Sequence, residues 1–450
     1  MPTPASEPTF WVETLGCPKN AVDSDKVTAS LLADGLLPAP ADADADLVVV
    51  NTCAFVEEAR RESIDVVLSL AQRRKPGAKL VVTGCLAERY GTELAAALPE
   101  VDAVVGFAGE GDLARAAGVP VQLTAARRPT GVRDLLELPR GRPQAPWAYL
   151  KVAEGCDRAC AFCAIPSFRG AQRSRDPDAI LAEARALIAG GVRELVLVAQ
   201  DLAWYGRDVG RPGELAPLLR RLHAELGPLG LLRQRLLYLY PSEVRDPLVE
   251  TMLETPSVVP YFDLSLQHAD RELLARMKRW GSGDRFLSML VDLRRRAPQA
   301  TVRSSFIVGF PGETESSHEA LLEFLVAAEL DWAGFFPFSR EAGTPAADLD
   351  GEVPTALMLE RLRECDEVQA PITEAARDQL ARESAEVEVL VDGIDDDTGD
   401  ATGRTHREAP SIDGRVRLDS SGARAGSLVR AKVTAAEGID LVATPIEVLA

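Results

Sequence analysis

The stretch Ala148-Tyr149-Leu150-Lys151-Val152-Ala153-Glu154-Gly155-Cys156-Asp157-Arg158-Ala159-Cys160-Ala161-Phe162-Cys163 decides how the chain is read. Residues 148–153 have the character of a short strand. Three cysteines follow in C-x₃-C-x₂-C spacing. Thiolates are soft ligands that favour iron–sulfur clusters, zinc or Cu(I). Three on one tight loop suit three irons of a cubane 4Fe–4S cluster, leaving the fourth iron open to a substrate or cofactor. A structural zinc site wants a fourth Cys or His, and apart from the triad none lies between Cys85 and His223. The competing reading is three buried or structural-metal cysteines that happen to be close. Clustered cysteines in a chain without export features more often mean metal or catalysis.

Outward from this loop runs a second series of alternating strands and helices. Strands are expected at about 148–153, 194–199, 233–240, 261–267, 302–308 and 332–338, with helices such as Pro177–Gly190 and Arg285–Arg296 between them. Six parallel strands with intervening helices predict a partial TIM-type (β/α)6 barrel, whose active residues belong at the strand C-termini. Cys156 follows the first strand, Gln200 and Asp201 the second, and Gln267 and His268 the fourth. Gly309-Phe310-Pro311-Gly312 follows the fifth.

Toward the N-terminus, three apolar strands each run into a cysteine. Phe10–Leu15 leads to Gly16-Cys17, Leu47–Val50 to Asn51-Thr52-Cys53, and Leu80–Thr83 to Gly84-Cys85. Helical stretches at about Asp23–Asp34 and Glu57–Gln72 separate them. The alternation predicts a parallel sheet, in which the carboxyl ends of the strands share one edge and ligands bind there. Cysteines 36 and 32 positions apart then converge, which favours a second cluster over three ordinary core cysteines.

The remaining segments bound the domains. Residues 1–8 read as a disordered tip. Residues 118–146 carry Pro120, Pro129, Pro139, Pro143 and Pro146 and read as a linker, with room for a short hairpin. Residues 354–382 form a charged amphipathic helix expected to pack on the barrel, with Cys365 as a plain thiol. After Ser384, short strands at 387–393, 414–418 and 428–433, with Gly and Asp turns, predict a small β-barrel. The expected boundaries are 8–120, 142–382 and 383–450, in an α/β chain overall.

With 450 residues, nearly half of them hydrophobic, the chain has room for two to four domains. Its start lacks the basic and apolar regions of a signal peptide, and no apolar run approaches a membrane span. Seven cysteines, an odd number, suit a reducing cytoplasm. The net charge of −19, from 50 basic and 69 acidic residues, opposes nonspecific nucleic-acid binding, which depends on Lys and Arg. It suits a basic partner, or merely solubility.

Cys17-Pro18-Lys19-Asn20-Ala21-Val22-Asp23-Ser24, Asn51-Thr52-Cys53 and Thr83-Gly84-Cys85 resemble the N-terminal domain of methylthiotransferases. The triad with Phe162 as its aromatic residue resembles the radical S-adenosylmethionine signature, and the tail resembles a TRAM domain. That family has a transfer-RNA branch, MiaB-like, which modifies an adenosine, and a branch that modifies an aspartate of ribosomal protein S-twelve. Ala164-Ile165-Pro166-Ser167-Phe168-Arg169-Gly170, Val198-Ala199-Gln200-Asp201 and Arg303–Gly312 resemble the second branch. Ser265 stands where Pro is usual and Asp25 where Glu is usual; neither is a proposed ligand.

The resemblance implies a methylthiotransferase acting on the β-carbon of that aspartate. Cys156, Cys160 and Cys163 would hold the radical cluster, and its open iron would chelate S-adenosylmethionine and cleave it to methionine and a 5′-deoxyadenosyl radical. Cys17, Cys53 and Cys85 would hold an auxiliary 4Fe–4S cluster that carries or delivers sulfur. One S-adenosylmethionine would supply the methyl group and a second the radical. Electrons would come from a donor such as flavodoxin or ferredoxin. Transfer RNA and a membrane are not expected as partners.

The other candidates each carry a bland alternative. Phe162 is placed near the adenine, against an ordinary core Phe. Gln200, Asp201 and His268 sit where polar groups contact ligand, against a satisfied structural role for His268. Gly309 and Gly312 permit close backbone approach to the cofactor, against a simple turn. Arg169, Arg173 and Arg175 offset cluster charge, against a solvated basic loop. A non-catalytic iron–sulfur or zinc protein is the remaining class.

Overall fold

A computed structural model describes residues 7–119, 135–395, 398–419 and 422–450. Residues 1–6 of the expected tip, residues 120–134 of the expected linker, and Asp396 and Asp397 fall outside the described residues. The chain divides into two compact units. One holds residues up to Arg142 with Glu154–Asp157 and Cys163–Arg175; the other holds Pro143–Ala153, Arg158–Phe162 and Asp176–Ala450.

The first unit is built on a five-stranded, wholly parallel sheet. Its order is Leu37–Pro38, Thr9–Thr14, Leu47–Thr52, Lys79–Gly84 and Ala103–Val104. The central strand Leu47–Thr52 is buried at every residue, as expected when helices cover both faces of a parallel sheet. The register pairs Thr14 with Asn51, and Asn51 with Thr83, so the strand ends lie level. The first helix spans Pro18–Ala33, five residues earlier than expected, because proline suits the first helical position and needs no N–H partner there. The two outer strands have two residues each, too short to leave a period in the sequence.

The second unit contains six parallel strands whose spatial order follows the chain: Trp147–Lys151, Glu194–Val198, Arg233–Leu239, Val258–Gln267, Thr301–Val308 and Trp332–Pro337. This is the expected open (β/α)6 arrangement. Side chains fix where the crossover helices begin. Asp176 accepts the Asp178 amide at 2.8 Å and Asp270 the Leu273 amide at 2.7 Å. Each satisfies an orphan donor of the first turn. The core between strands and helices includes Leu197, Phe262, Phe306 and Leu321, all fully buried. The long helix Thr355–Arg382 packs on this core and buries Cys365, as a plain thiol.

Five strands close the C-terminal barrel, in the order Glu386–Ile394, Ala401–Arg404, Val416–Leu418, Asp440–Val448 and Leu428–Glu437. Two of them, Ala401–Arg404 and Asp440–Val448, were not among the expected strands. This barrel is tied to the amino-terminal ends of the six-stranded sheet by buried ions. Glu194 receives Arg235 Nε at 2.7 Å and Arg404 Nη1 at 2.8 Å. Arg233 donates to the carbonyls of Arg404 and Glu388, both at 2.7 Å. Arg377 meets Glu408 at 2.6 Å, and Tyr261 donates to Asp413 at 2.6 Å. The loops that carry chemistry therefore occupy the opposite, carboxyl edge of the sheet.

Burial would raise the Glu194 carboxyl, but Arg404, Arg235 and Arg233 outweigh it and hold its pKa at about 2. Glu194→Ala leaves the buried Arg235 without its carboxylate and Arg404 with Asp392 alone, and should destabilise the unit by about 3–5 kcal/mol, read from the urea midpoint. Because the folded pKa lies below the ordinary value of 4.5, the Glu194 contribution is full above that value. It is lost as pH falls through about 2. The wild-type and Glu194→Gln midpoints should converge over that window.

Candidate functional site

In the first unit the three cysteines stand where level strands give way to helices. Cys17 caps the helix Pro18–Ala33, and Cys85 opens the helix Cys85–Ala97. Cys53 directly follows Leu47–Thr52. Helix N-termini favour negative charge, and thiolates with it. Two asparagines cross-brace the loops. Asn20 Nδ2 donates to the carbonyls of Leu15 and Thr52 at 2.9 and 3.1 Å. Asn51 Nδ2 donates to Asn20 O and Ser24 Oγ, both at 2.9 Å. Gly84 adopts φ +89°, and a Cβ there would lie 2.6 Å from Thr52 O. Only glycine accepts that conformation together with that approach.

Arg169 is the centre of this cluster. Its Nη2 lies 3.0 Å from Cys85 Sγ, 2.8 Å from Asn20 Oδ1 and 3.5 Å from Asp23 Oδ2, while Nη1 donates to Glu154 at 2.8 Å. The guanidinium also lies over the Phe107 ring at 4.8 Å. Its side chain is 3 % exposed. The solvated-loop reading therefore fails for Arg169 and for buried Arg175, and holds for exposed Arg173.

The thiols feel one another and this cation. Burial raises Cys17, but Lys19, Arg169 and the Asn20 amide outweigh it, so its pKa is lowered. Burial dominates at Cys53, which is raised, and at Cys85, which is pushed up to about 12. Among the described residues no three His, Cys, Asp or Glu side chains stand as a cage for a metal ion. The donor set nonetheless suits an iron–sulfur cluster: three thiols that influence each other electrostatically, on loops braced by Asn20 and Asn51, with a guanidinium to offset thiolate charge.

The C-x₃-C-x₂-C loop follows Trp147–Lys151, and its three cysteines are all half-buried. The Cys156 amide donates to Gly170 O at 3.1 Å. Cys160 Sγ lies 3.4 Å from Arg279 Nη1. Phe162 packs, half-buried, on the core of the second unit.

The other expected positions lie on that unit's carboxyl edge. Gln200 is half-buried, and Asp201 is buried and accepts Arg158 Nε at 2.7 Å. Gly309 has φ +82° and its amide donates to Glu313 at 2.6 Å. A Cβ at Gly309 would meet Met358 at 2.5 Å, and one at Gly312 (φ +90°) would meet Arg276 at 2.8 Å. The positive φ at each position favours glycine, while the Cβ contacts are with the flexible side chains of Met358 and Arg276. His268 is buried, with Nδ1 accepting the Asp270 amide at 3.0 Å. Burial, aided by His318 and Arg361, pushes its pKa down to about 3, so the ring is neutral and shapes the turn.

Sequence reasoning did not assign roles to Asn20, Asn51 or Arg158. The two asparagines lie inside the quoted cysteine motifs, which was the available signal. Their bracing function depends on strand register.

Residues 150–325 match the Radical SAM superfamily, residues 385–446 the TRAM domain, and residues 9–106 a group described as Uncharacterized protein family UPF0004. A solved radical S-adenosylmethionine methyltransferase, TsrM from Kitasatospora setae, aligns with a TM-score of 0.53 at 14% identity, covering 82% of this chain and 90% of that one. At that identity the likeness shows the fold alone. The class is therefore a radical S-adenosylmethionine enzyme flanked by two further domains. The chain is 42% identical to the ribosomal protein uS12 methylthiotransferase RimO of Salinispora tropica, over 99% of this chain and 96% of that protein. With the RimO of Geobacter sulfurreducens it shares 41% identity, over 95% and 96%. The chain belongs to the RimO family of radical S-adenosylmethionine methylthiotransferases.

In metal-free protein the lowered Cys17 should react with iodoacetamide at lower pH than Cys53 or Cys85, because the thiolate is the nucleophile. Arg169→Met should move the Cys17 profile to higher pH. Mass spectrometry of alkylated peptides across a pH series checks both; coincident profiles for the three thiols would contradict the assigned electrostatics.

Proposed function

We propose that this chain adds a methylthio group to the β-carbon of an aspartate in ribosomal protein uS12, the S-twelve protein. The observation that carries the reading is one chain joining two cysteine triads with near full-length similarity to proteins named for that reaction. In this reading Cys156, Cys160 and Cys163 hold the radical cluster, and Cys17, Cys53 and Cys85 hold the auxiliary one. Bound 4Fe–4S cluster and S-adenosylmethionine supply the radical that an unactivated C–H bond requires. The protein's part is to bind and orient. Phe162, Gln200, Gly309 and Gly312 are assigned to the cofactor, and Arg169 offsets negative charge at the auxiliary triad. No helix among the described residues is long and apolar enough to cross a membrane. We place the reaction in the cytoplasm, where a ribosomal substrate and a flavodoxin- or ferredoxin-type electron donor are at hand.

The transfer-RNA reading is disfavoured by charge. Residues 383–450 hold 14 acidic and 7 basic residues. Glu386, Glu388, Asp395 and Asp419 are exposed, and so are Arg415, Arg417, Arg424 and Lys432. Arg404 is buried in its ion pairs, and Arg415, Arg417 and Arg430 pair with Asp440, Glu437 and Glu447. Phosphate contacts need accessible Lys and Arg. Acidic side chains instead suit a basic protein, where complementary charge speeds encounter and selects partners.

Reconstituted protein incubated with uS12, S-adenosylmethionine and reductant should raise the intact mass of uS12 by one methylthio group less one hydrogen, localised to an aspartate by fragmentation. Methylthio-adenosine in transfer RNA, with uS12 unmodified, would overturn the reading.

Two cubanes predict roughly eight irons per chain. Changing Cys156, Cys160 and Cys163 together to Ala should leave about half. The Cys17→Ala, Cys53→Ala, Cys85→Ala protein should still cleave S-adenosylmethionine but install no sulfur. Full iron in the first variant, or normal product from the second, would refute the ligand assignment.

A further inference from the structure

We propose that an alternating stack of guanidinium groups and aromatic rings positions the C-x₃-C-x₂-C loop and raises the reduction potential of the cluster it holds. The proposal rests on the reading above that Cys156, Cys160 and Cys163 ligate that cluster. All members of the stack belong to the second unit. Arg207 lies 4.0 Å from the Trp204 ring centroid. Arg158 lies 3.9 Å from the Trp204 centroid and 3.9 Å from that of Tyr240. Arg279 lies 3.8 Å from the Tyr240 centroid. Three cations thus alternate with two rings, whose negative faces attract them.

Two carboxylates bind the Arg158 and Arg207 members of the stack. Asp201 accepts Arg158 Nε at 2.7 Å. Glu243 pairs with Arg158 at 3.3 Å and with Arg207 at 2.7 Å. Arg279 instead donates to the Ser265 carbonyl and approaches Cys160 Sγ at 3.4 Å. Among the described residues, Asp201 acts on the Arg279 guanidinium only through space.

The position of Arg158 gives the stack its consequence. Between Cys156 and Cys160 stand only Asp157, Arg158 and Ala159, and Arg158 alone is long enough to reach across to two other loops. Pinned between two rings and two carboxylates, it holds this short segment in place before metal arrives. Lysine would keep the charge but lose the planar, forked contact. At the other end, a cation beside a cluster sulfur stabilises the more negative, reduced state. Hydrogen bonds to sulfur and local charge are recognised determinants of cluster potential. Arg158 and Arg279 are thus positioning and tuning residues that need not touch substrate.

The test uses the reconstituted holoenzyme. A redox titration follows by electron paramagnetic resonance the signal that changes on adding S-adenosylmethionine, and a chelator challenge follows iron loss. Arg279→Met should lower the potential of that signal, with Arg279→Lys recovering part of the shift. Tyr240→Leu removes a ring shared by Arg158 and Arg279 and should speed iron loss roughly tenfold, from contacts of the usual cation–π strength. Tyr240→Phe keeps the ring face and should behave as wild type, which separates stacking from a general packing defect. An unchanged potential in Arg279→Met, or equal damage from Tyr240→Phe and Tyr240→Leu, would overturn the proposal. If no wild-type signal responds to S-adenosylmethionine, the cluster assignment fails instead, and the failure would show before any variant is compared.

Discussion

Parallel strands cannot be joined by tight turns. Each return must cross the sheet, here through a helix, so every strand of a sheet delivers its carboxyl end to the same edge. That constraint gathers chemistry from distant sequence in both units. In the first it brings Cys17, Cys53 and Cys85 to strand ends held level by register. In the second it brings the loops after six consecutive strands to one rim, while the opposite rim is free to take the C-terminal barrel. In the second unit the cysteine-bearing loop and the C-terminal barrel thus lie at opposite ends of the same strands.

A second regularity is electrostatic. Thiolates in partly buried loops are costly unless cations or donors face them. Each unit meets this need with an arginine whose charge is itself held by other groups: Arg169 by Glu154 and Asn20, and Arg279 by the Ser265 carbonyl and the Tyr240 ring. Arginine suits the task because its charge is permanent and its plane accepts a ring on its face while donating at its edge. Local pairing sets these sites apart from the chain's overall negative charge.

Much of this was legible in the sequence. The buried strands announce themselves as apolar runs, such as Leu47–Val50, and the cysteines sit at their ends. Burial of Arg169 was not legible, because an arginine in a loop with Arg173 and Arg175 reads the same whether it faces water or Cys85. The strand Ala401–Arg404 escaped because its sequence, Ala-Thr-Gly-Arg, lacks a repeated apolar face. In Asp440–Val448 the apolar residues Ile446 and Val448 point to solvent, which blurs the alternation that normally marks a strand. The ion network at the base of the six-stranded sheet was illegible for a different reason: charged residues are usually exposed, and nothing local shows that Glu194, Arg235 and Arg404 meet.

That meeting bears on how the protein is made. Glu194 and Arg404 lie 210 positions apart, and synthesis runs from the amino end. While the chain is emerging, Glu194 and Arg235 can pair, but the second guanidinium on Glu194 and the carbonyls that receive Arg233 do not yet exist. The buried pairing at the base of the sheet is therefore complete only once residues 388–404 have been made. A chain ending at Arg382 would lack each of those later partners, and Glu194, Arg233 and Arg235 at the base of the sheet would face water in their place.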